Sequence, residues 1–235
     1  MEKKVDCVVV GPIQTNCWLY LLDETPDSDG VSDSGGMRPC AVIDPGDEAA
    51  LIVSRLKKLN WIPRYIFLTH GHFDHLAGLP ELLDAFGKGA WAVPPPKVCI
   101  HRQDAHYLGK DALTVHRNSF MSAGGDPAYI NVLWKPMPEA DLLLEEGDIV
   151  GPFKVLHVPG HTAGSSALYD EKAGVLFTGD TLFRGDYGRT DLPGGSEELI
   201  RESLKRLLAL NGEIKVCPGH GAATTIKGEA GLQFY

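Results

Sequence analysis

The sequence lacks any apolar run long enough to cross a membrane, and its first residues contain no apolar core of the kind found in signal peptides. Its five cysteines are scattered along the chain without the Cys-x-x-Cys spacing of thiolate metal sites and redox motifs. An odd, dispersed set of cysteines suits reduced and mostly buried thiols. We therefore expect a cytoplasmic protein that does not interact with membranes.

Basic residues are also in short supply. The 22 Lys and Arg residues are outnumbered by 31 Asp and Glu residues, which gives a formal net charge of -9. Nucleic-acid-binding surfaces are normally basic, so we expect no nucleic-acid partner. The length of 235 residues, with 43% hydrophobic and 23% charged residues, is typical of one globular domain over 1–235.

Short apolar runs between turn residues predict β-strands, and apolar residues at helical spacing predict helices. Asp47 and Ser196 are placed to cap two of the helices, and Leu51 and Leu199 are expected on their buried faces. A mobile loop is expected at 23–39 and an irregular insertion with helical pieces at 110–138. The predicted strands are 5–10, 17–22, 40–43, 65–68, 90–93, 98–100, 153–158, 166–169, 175–177 and 215–217. The predicted helices are 48–60, 76–86, 102–108 and 197–210.

Histidine and aspartate are concentrated directly after the predicted strand 65–68. His70, His72, Asp74 and His75 all fall within six residues. Imidazole nitrogens and carboxylate oxygens are ligands that zinc and its first-row neighbours accept. Four ligands in one loop are more than a single tetrahedral ion can easily use. We therefore expect His70 and His72 to face one ion, and Asp74 and His75 to face a second.

Three further candidate ligands lie beside glycine at the ends of later apolar strands: His161, Asp180 and His220. Each of them alone has an ordinary interpretation as a turn or capping residue. Together with the cluster they make seven ligands, enough for two metal ions that share one carboxylate. His116 has no role that the sequence indicates. The histidines expected to be surface or structural residues are His101, His106 and His157.

The order His-x-His-x-Asp-His, Gly-His-Thr-x-Gly-Ser, Gly-Asp-Thr and Pro-Gly-His-Gly resembles that of the metallo-β-lactamase superfamily. Segments 11–17, 43–47, 179–183 and 188–195 resemble its glyoxalase II (hydroxyacylglutathione hydrolase) branch, and 219–229 resembles the short bacterial members without the C-terminal helical domain. The resemblance implies an α/β (α+β) fold, a four-layer αββα sandwich. It also implies that His70, His72 and His161 hold one metal ion, that Asp74, His75 and His220 hold the other, and that Asp180 bridges them.

The same resemblance implies a dinuclear metallo-hydrolase that cleaves S-D-lactoylglutathione or a related thioester. The two divalent ions would be zinc, with iron or manganese also compatible with these ligands. They would activate a water molecule for attack on the carbonyl carbon, and Asp74 would orient that water as the candidate catalytic residue. No separate nucleophile is expected, because the closest approach to a Gly-x-Ser-x-Gly elbow, at 164–168, lacks the second glycine.

Two departures from glyoxalase II bear on the substrate. That family continues beyond its last histidine ligand into a helical domain with basic contacts to glutathione, whereas 15 residues follow His220 here. Arg189 and Asp191 stand where the family has a Lys and a Tyr that hold glutathione. Arg189 is a candidate partner for a substrate carboxylate, and an internal salt bridge to Asp191 or Asp186 is the alternative.

Other functions remain compatible with the motifs. The Gly-Arg-Thr-Asp segment 188–191 also resembles the persulfide dioxygenases, whose single iron would correspond to His70, His161 and Asp180. A metallo-hydrolase of another ester or of a lactone is a second alternative. A non-catalytic protein on a retained fold is a third, and the seven intact ligands argue against it.

Overall fold

The computed structural model describes residues 4–23, 36–87, 91 and 93–233. Within them the strands form two six-stranded sheets. The first sheet has the spatial order β1 (Val5–Val10), β2 (Thr15–Leu21), β3 (Arg38–Ile43), β4 (Trp61–Leu68), β5 (Lys97–His101) and β6 (Leu142–Leu144). The second, from the opposite edge, contains β7 (Ile149–Val150), β8 (Phe153–His157), β9 (Ser166–Asp170), β10 (Val175–Gly179), β11 (Lys215–Pro218) and β12 (Thr224–Thr225).

Helices lie between and after these strands. The α-helices are α1 (Ala49–Leu59), α2 (Phe73–Leu76), α3 (Leu79–Asp84), α4 (Ala112–Ser122), α5 (Pro127–Leu133) and α6 (Glu197–Leu208). Two 3-10 helices cover Arg102–Tyr107 and Lys227–Glu229. In the part of the chain that the structure describes, none of these helices combines the length and apolar character needed to cross a bilayer.

Three apolar cores hold the layers together. The core between the two sheets is aromatic: Tyr20, Phe67, Phe153 and Phe177 pack with ring centroids 5.0–5.8 Å apart. One outer core packs α1 and α3 on the first sheet, and the other packs α6 on the second sheet. The order is helix, sheet, sheet, helix, which confirms the predicted αββα sandwich.

Strand direction brings the ends of several strands to one edge of the sandwich. In the first sheet β3 and β4 are parallel. In the second sheet β10 is parallel to β11 and antiparallel to β9, which is antiparallel to β8. The carboxyl ends of β8, β10 and β11 therefore point the same way. Hydrogen bonds from Ser166 N–H to Thr69 O and from Asn16 N–H to Gly219 O join the two sheets at this edge.

In α1 and in α6, one leucine that was predicted to be buried is exposed to solvent. Leu51 and Leu199 are 46% and 44% exposed, so the expectation that they face inward is wrong. Each precedes a fully buried isoleucine, Ile52 or Ile200. One residue of an α-helix is about 100° of rotation, which turns the preceding side chain off the packed face.

Of the two predicted helix caps, the structure has one. The Ser196 hydroxyl accepts a hydrogen bond from Leu199 N–H over 3.3 Å, which confirms that cap. Asp47 does not cap α1. The cap position is Glu48 in a left-handed backbone conformation, and the Asp47 carboxylate instead accepts the neighbouring Glu48 N–H.

Three further predictions need correction or fall outside the described chain. The helix predicted at 76–86 is divided into α2 and α3, with Gly78 packed against the backbone of Pro45 and Asp47. At 90–93, Trp91 and Val93 are not in a strand, and residues 90 and 92 lie outside the described residues. Most of the loop predicted at 23–39 also lies outside them, at 24–35, while 38 and 39 belong to β3.

The insertion at 110–138 is more regular than the sequence indicated, because it contains α4 and α5. His116, on α4, is buried, and its Nε2–H donates to Tyr107 O over 2.9 Å. Its ring also contacts Phe73 and Trp134, with centroids 5.4 and 5.6 Å away. His116 thus fastens the insertion to the segment that carries the histidine cluster.

We expect His116 to make folding stability dependent on pH. Burial lowers its pKa from 6.5 to about 4 in the folded chain. The contribution of the neutral ring is therefore complete above pH 6.5 and is lost as the pH falls towards 4, a change of about 3 kcal/mol. Chemical unfolding between pH 7 and 4 should show this slope reduced in His116→Gln. His106→Gln, an exposed neighbour, is the control. Equal slopes for wild type and His116→Gln would contradict the assignment.

Candidate metal centre

All seven predicted ligands meet where the strand ends converge. His70, His72 and the residues of α2 follow β4, and the other three follow β8, β10 and β11. Their potential ligand atoms form three overlapping groups, each with all atoms within 4.8 Å of one another. The groups are His70, His72 and His161; His70, His75 and Asp180; and Asp74, His75 and His220.

The first group consists of three buried histidines, which we call the three-histidine group. His72 Nδ1 lies 2.8 Å from His161 Nε2. The His70 ring stands 4.8 Å from that of His72 and 4.7 Å from that of His161, both in edge-on orientation. The residues come from both sheets, since His70 and His72 follow β4 and His161 follows β8.

The third group combines the carboxylate of Asp74 with His75 and His220, and we call it the Asp-His-His group. His75 Nε2 lies 3.2 Å from Asp74 Oδ2 and 3.3 Å from His220 Nε2. His220 Nε2 is also 3.2 Å from Asp74 Oδ2. The three atoms thus enclose a point about equally distant from each of them.

Asp180 lies between the two groups. Its Oδ1 is 3.3 Å from His75 Nε2, and its Oδ2 is 3.5 Å from His220 Nε2 and 3.7 Å from His161 Nε2. Gly219 permits this arrangement, because a Cβ atom there would collide with the Asp180 carboxylate and the His75 ring. Both oxygens thus approach the Asp-His-His group and Oδ2 also approaches the three-histidine group, which is the position that a bridging ligand requires.

Hydrogen bonds on the outer side of the rings determine which nitrogens face inward. His75 Nδ1 is 3.0 Å from the Asp44 carboxylate, and His161 Nδ1 is 2.7 Å from Arg189 O. His70 Nδ1 is 3.1 Å from the Thr69 hydroxyl, which itself donates to Asp44. Each acceptor places the imidazole proton on Nδ1 and leaves the Nε2 lone pair for the centre.

The donor set fits a cation better than it fits an empty pocket. Nε2 of His70 and Nε2 of His72 are buried without a hydrogen-bond partner among the described residues. Burial lowers the pKa of His70 well below its ordinary value and that of His72 to about 3, so both present neutral rings. Buried polar atoms without partners are costly, and metal coordination would satisfy Nε2 of His70. His72 faces His161 through Nδ1 and would bind an ion through that nitrogen.

The carboxylates show the same electrostatic demand. Burial would raise the pKa of Asp74 and of Asp180, but neighbouring histidines, His75 foremost, hold both below their ordinary values. Burial would lower the pKa of His75, yet Asp74, Asp180 and Asp44 raise it well above 6.5. Three carboxylates around one ring thus favour positive charge at this point, which divalent cations would supply.

Sequence reasoning missed the residues that hold these ligands. Asp44 accepts hydrogen bonds from both Thr69 N–H and the Thr69 hydroxyl at 2.7 Å, besides that from His75. The Asn16 amide donates to Pro218 O and Gly221 O, on either side of His220, over 3.0 and 2.8 Å. Asp44 follows a strand directly, as the ligands do, and that common position was the available signal.

Arg189 forms the internal salt bridge that the sequence left open. Its Nε and Nη2 donate to the two oxygens of Asp191 over 2.6 and 2.7 Å. The Arg189 side chain lowers the pKa of Asp191 to about 2. Arg189 is still 52% exposed, and its backbone carbonyl holds His161, so its side chain projects from a residue that adjoins the centre.

The remaining histidines lie outside the centre. His101 and His157 stack with ring centroids 4.1 Å apart and nearly parallel planes, and His157 Nε2–H donates to Ala163 O over 2.8 Å. His106 is exposed. None of the three belongs to the metal-compatible groups found among the described residues, in keeping with the structural or surface roles expected for them.

Comparison with known proteins agrees with the geometry in indicating a metal-binding protein. Residues 10–220 match the family described as the metallo-beta-lactamase superfamily. The chain is 34% identical to the probable metallo-hydrolase YqgX of Bacillus subtilis, over 92% of this chain and 90% of that protein. It is 32% identical to the hydroxyacylglutathione hydrolase GloC of Haemophilus influenzae, over 94% and 92% of the two chains.

The chain is also similar to a solved structure of a metal-bound protein. The crystal structure of TTHA1623 in a di-iron-bound form aligns with a TM-score of 0.75 and 33% identity, and covers 97% of this chain and 98% of that one. These relatives support a metal-binding hydrolase that is similar to the glyoxalase II branch. With the fold and the ligand groups described above, the match over most of its length shows that the chain belongs to the metallo-beta-lactamase superfamily.

Proposed function

We propose that this chain is a dinuclear metal-dependent thioesterase of the glyoxalase II kind. One observation carries the proposal: Asp180 lies between two groups of three ligands, and within each group the potential ligand atoms lie within 4.8 Å of one another. His70, His72 and His161 would hold one ion, Asp74, His75 and His220 the other, and Asp180 both. Zinc is the ion we expect, and iron and manganese also suit these ligands.

The chemistry divides between the ions and the chain. When bound, two divalent ions lower the pKa of a water molecule and polarise the carbonyl oxygen of the substrate. Asp74 is the carboxylate best placed to orient that water, because its side chain is 26% exposed whereas that of Asp180 is 11% exposed. The Thr15 hydroxyl donates to Asp74 Oδ2 over 3.1 Å and holds the carboxylate in place. A thiolate leaves readily, so no general acid is required.

The substrate class follows from the relatives and from charge. One relative is named a hydroxyacylglutathione hydrolase, and a glutathione thioester carries carboxylates. A chain with a net charge of -9 needs local cations to attract such a substrate. Arg189 is exposed beside the centre and can exchange Asp191 for a substrate carboxylate, since its planar fork suits either partner.

The test is hydrolysis of S-D-lactoylglutathione by metal-replete protein, with metal content measured on the same sample. Turnover with about two ions per chain would support the proposal. Two ions without turnover would refute this substrate and favour another thioester, an ester or a lactone. One iron per chain, with oxygen consumed on glutathione persulfide, would replace the proposal by the dioxygenase alternative.

For Arg189→Ala we expect KM for an anionic thioester to rise about two- to fivefold while kcat changes little. The reason is that an exposed ion pair contributes about 1 kcal/mol or less to binding in both the ground state and the transition state. Steady-state kinetics on S-D-lactoylglutathione measure both constants. Asp191→Asn is the matched variant: it frees Arg189 from its partner and should lower KM. An unchanged KM in Arg189→Ala would remove Arg189 from the substrate site.

A further inference from the structure

Asp104 lies in the 3-10 helix Arg102–Tyr107, outside the metal-binding motifs of the sequence, and is fully buried. Its carboxylate accepts three hydrogen bonds. Gly71 N–H donates to Oδ2 over 2.9 Å, the Thr162 hydroxyl donates to Oδ2 over 2.7 Å, and Gly164 N–H donates to Oδ1 over 2.7 Å. A carboxylate is stable away from water only where such donors replace it.

The donors come from the two loops that carry the three-histidine group. Gly71 separates His70 from His72 after β4, and Thr162 follows His161 after β8. Asp104 thereby connects a loop of the first sheet to a loop of the second. His72 Nδ1 on one loop lies 2.8 Å from His161 Nε2 on the other. Because His70 Nε2 has no partner among the described residues, contacts outside the group must hold the loops in place before an ion is bound.

The Asp-His-His group depends on other contacts. Its members come from α2 and from the loop after β11, and the residues that contact them lie in β2 or directly after β3. Its positioning contacts are those of Asp44 with His75, Thr15 with Asp74, and Asn16 with the carbonyls beside His220. Asp44 also reaches His70 through the Thr69 hydroxyl, so it serves both groups. The hydrogen bonds that Asp104 accepts from the described residues come only from the loops of the three-histidine group.

We propose that Asp104 is a positioning residue that assembles the three-histidine group and leaves the Asp-His-His group unaffected. The inference rests on the metal centre of the proposed function. Asp104→Asn preserves size but replaces one accepting oxygen by an NH2 group, which faces N–H or O–H donors and breaks at least one tie. We expect the affinity for one of the two ions to fall about 10- to 100-fold, the scale on which contacts to metal ligands act.

The experiment is titration of the metal-free protein with Co²⁺, followed by visible absorption in the presence of a competing chelator. His72→Ala, which lacks a ligand of the three-histidine group, supplies the reference spectrum of the Asp-His-His group alone. At one equivalent of Co²⁺, the spectrum of Asp104→Asn should match that reference. The second equivalent should bind about 10- to 100-fold more weakly than in wild type.

Asp170→Asn is the matched control. Asp170 is also a buried carboxylate, and it accepts hydrogen bonds from the Tyr20 hydroxyl and Ala173 N–H over 2.5 and 2.9 Å. It lies at the far end of the β9–β10 pair from Asp180. This variant should bind both Co²⁺ ions with wild-type affinity, which separates positioning of the ligands from general loss of a buried hydrogen-bonded carboxylate.

Two results would overturn the inference while leaving the proposed function intact. One is that Asp104→Asn binds both ions with wild-type affinity. The other is that its affinity falls equally for both ions. Thr162→Val removes one donor with little change of shape and serves if Asp104→Asn does not fold. Thr162→Val should lower the affinity for the same ion by a smaller factor. Unchanged affinity in Thr162→Val would also overturn the inference. A wild-type protein that binds no Co²⁺ would overturn the inference together with the proposed function.

Discussion

Asp180→Asn is expected to lower kcat/KM for thioester hydrolysis by roughly a hundred- to a thousandfold, the range found when one preorganised charge is removed from an active site. Asp180 is the residue whose two oxygens approach both ligand groups, at 3.3 Å from His75 on one side and 3.7 Å from His161 on the other. Asparagine keeps the shape but loses the charge and one of the two oxygens. Both ions would lose a ligand at once.

The measurement needs protein with known metal content, because Asp180→Asn is expected to lose metal as well as activity. Kinetics should therefore be read at saturating metal, beside metal analysis of the same sample. Asp186→Asn is the matched control: it makes the same chemical change six residues further on, at an exposed carboxylate whose contact is with Tyr187 N–H. If Asp180→Asn retained near-wild-type kcat/KM, the dinuclear assignment would be wrong.

The ligands of the centre could be predicted from sequence because each one obeys a local rule. His70, His161, Asp180 and His220 all follow an apolar run directly or within a few residues. Local position identified the ligands, whereas their convergence on one dinuclear site was implied by the resemblance to the superfamily. The structure places all of these residues within the metal-compatible groups.

The residues that hold the ligands could not be predicted in the same way. Asp104 contacts Gly71 and Thr162, which are 33 and 58 positions away in the chain. Asn16 contacts Pro218 across 202 positions. Such contacts depend on how the two sheets pack, and neither residue lies in a cluster of ligand types that a local pattern would detect.

The prediction of which helix residues are buried was wrong at two positions for a different reason. In α1 and α6 the apolar residues outnumber those that the sheet can cover, so Leu51 and Leu199 remain exposed. Hydrophobicity alone does not distinguish the edge of a buried stripe from its centre. The division of the predicted helix 76–86 likewise depends on a tertiary contact, the approach of Gly78 to the backbone of Pro45.

The second large effect is expected for His72→Ala, which should reduce metal content from about two ions per chain to about one and lower kcat/KM by at least about a hundredfold. His72 belongs to the three-histidine group and does not contribute to the Asp-His-His group. The variant therefore removes a ligand of one ion while the other ion keeps its own set.

The stability difference between His72→Ala and wild type should be smaller for the metal-free forms than for the metal-bound forms. His72 Nε2 has no hydrogen-bond partner among the described residues, and Nδ1 faces a nitrogen of His161. Removal of the ring costs the metal-free fold its packing and the contact of Nδ1 with His161, whereas the metal-bound fold also loses an ion that stabilises only the native state. Thermal unfolding with and without chelator should show a smaller metal-induced rise in Tm for His72→Ala.

His101→Asn is the control, because His101 is a buried histidine outside the ligand groups, and this variant should keep the wild-type rise in Tm. Two retained ions with full activity in His72→Ala would refute the three-histidine group as a metal site.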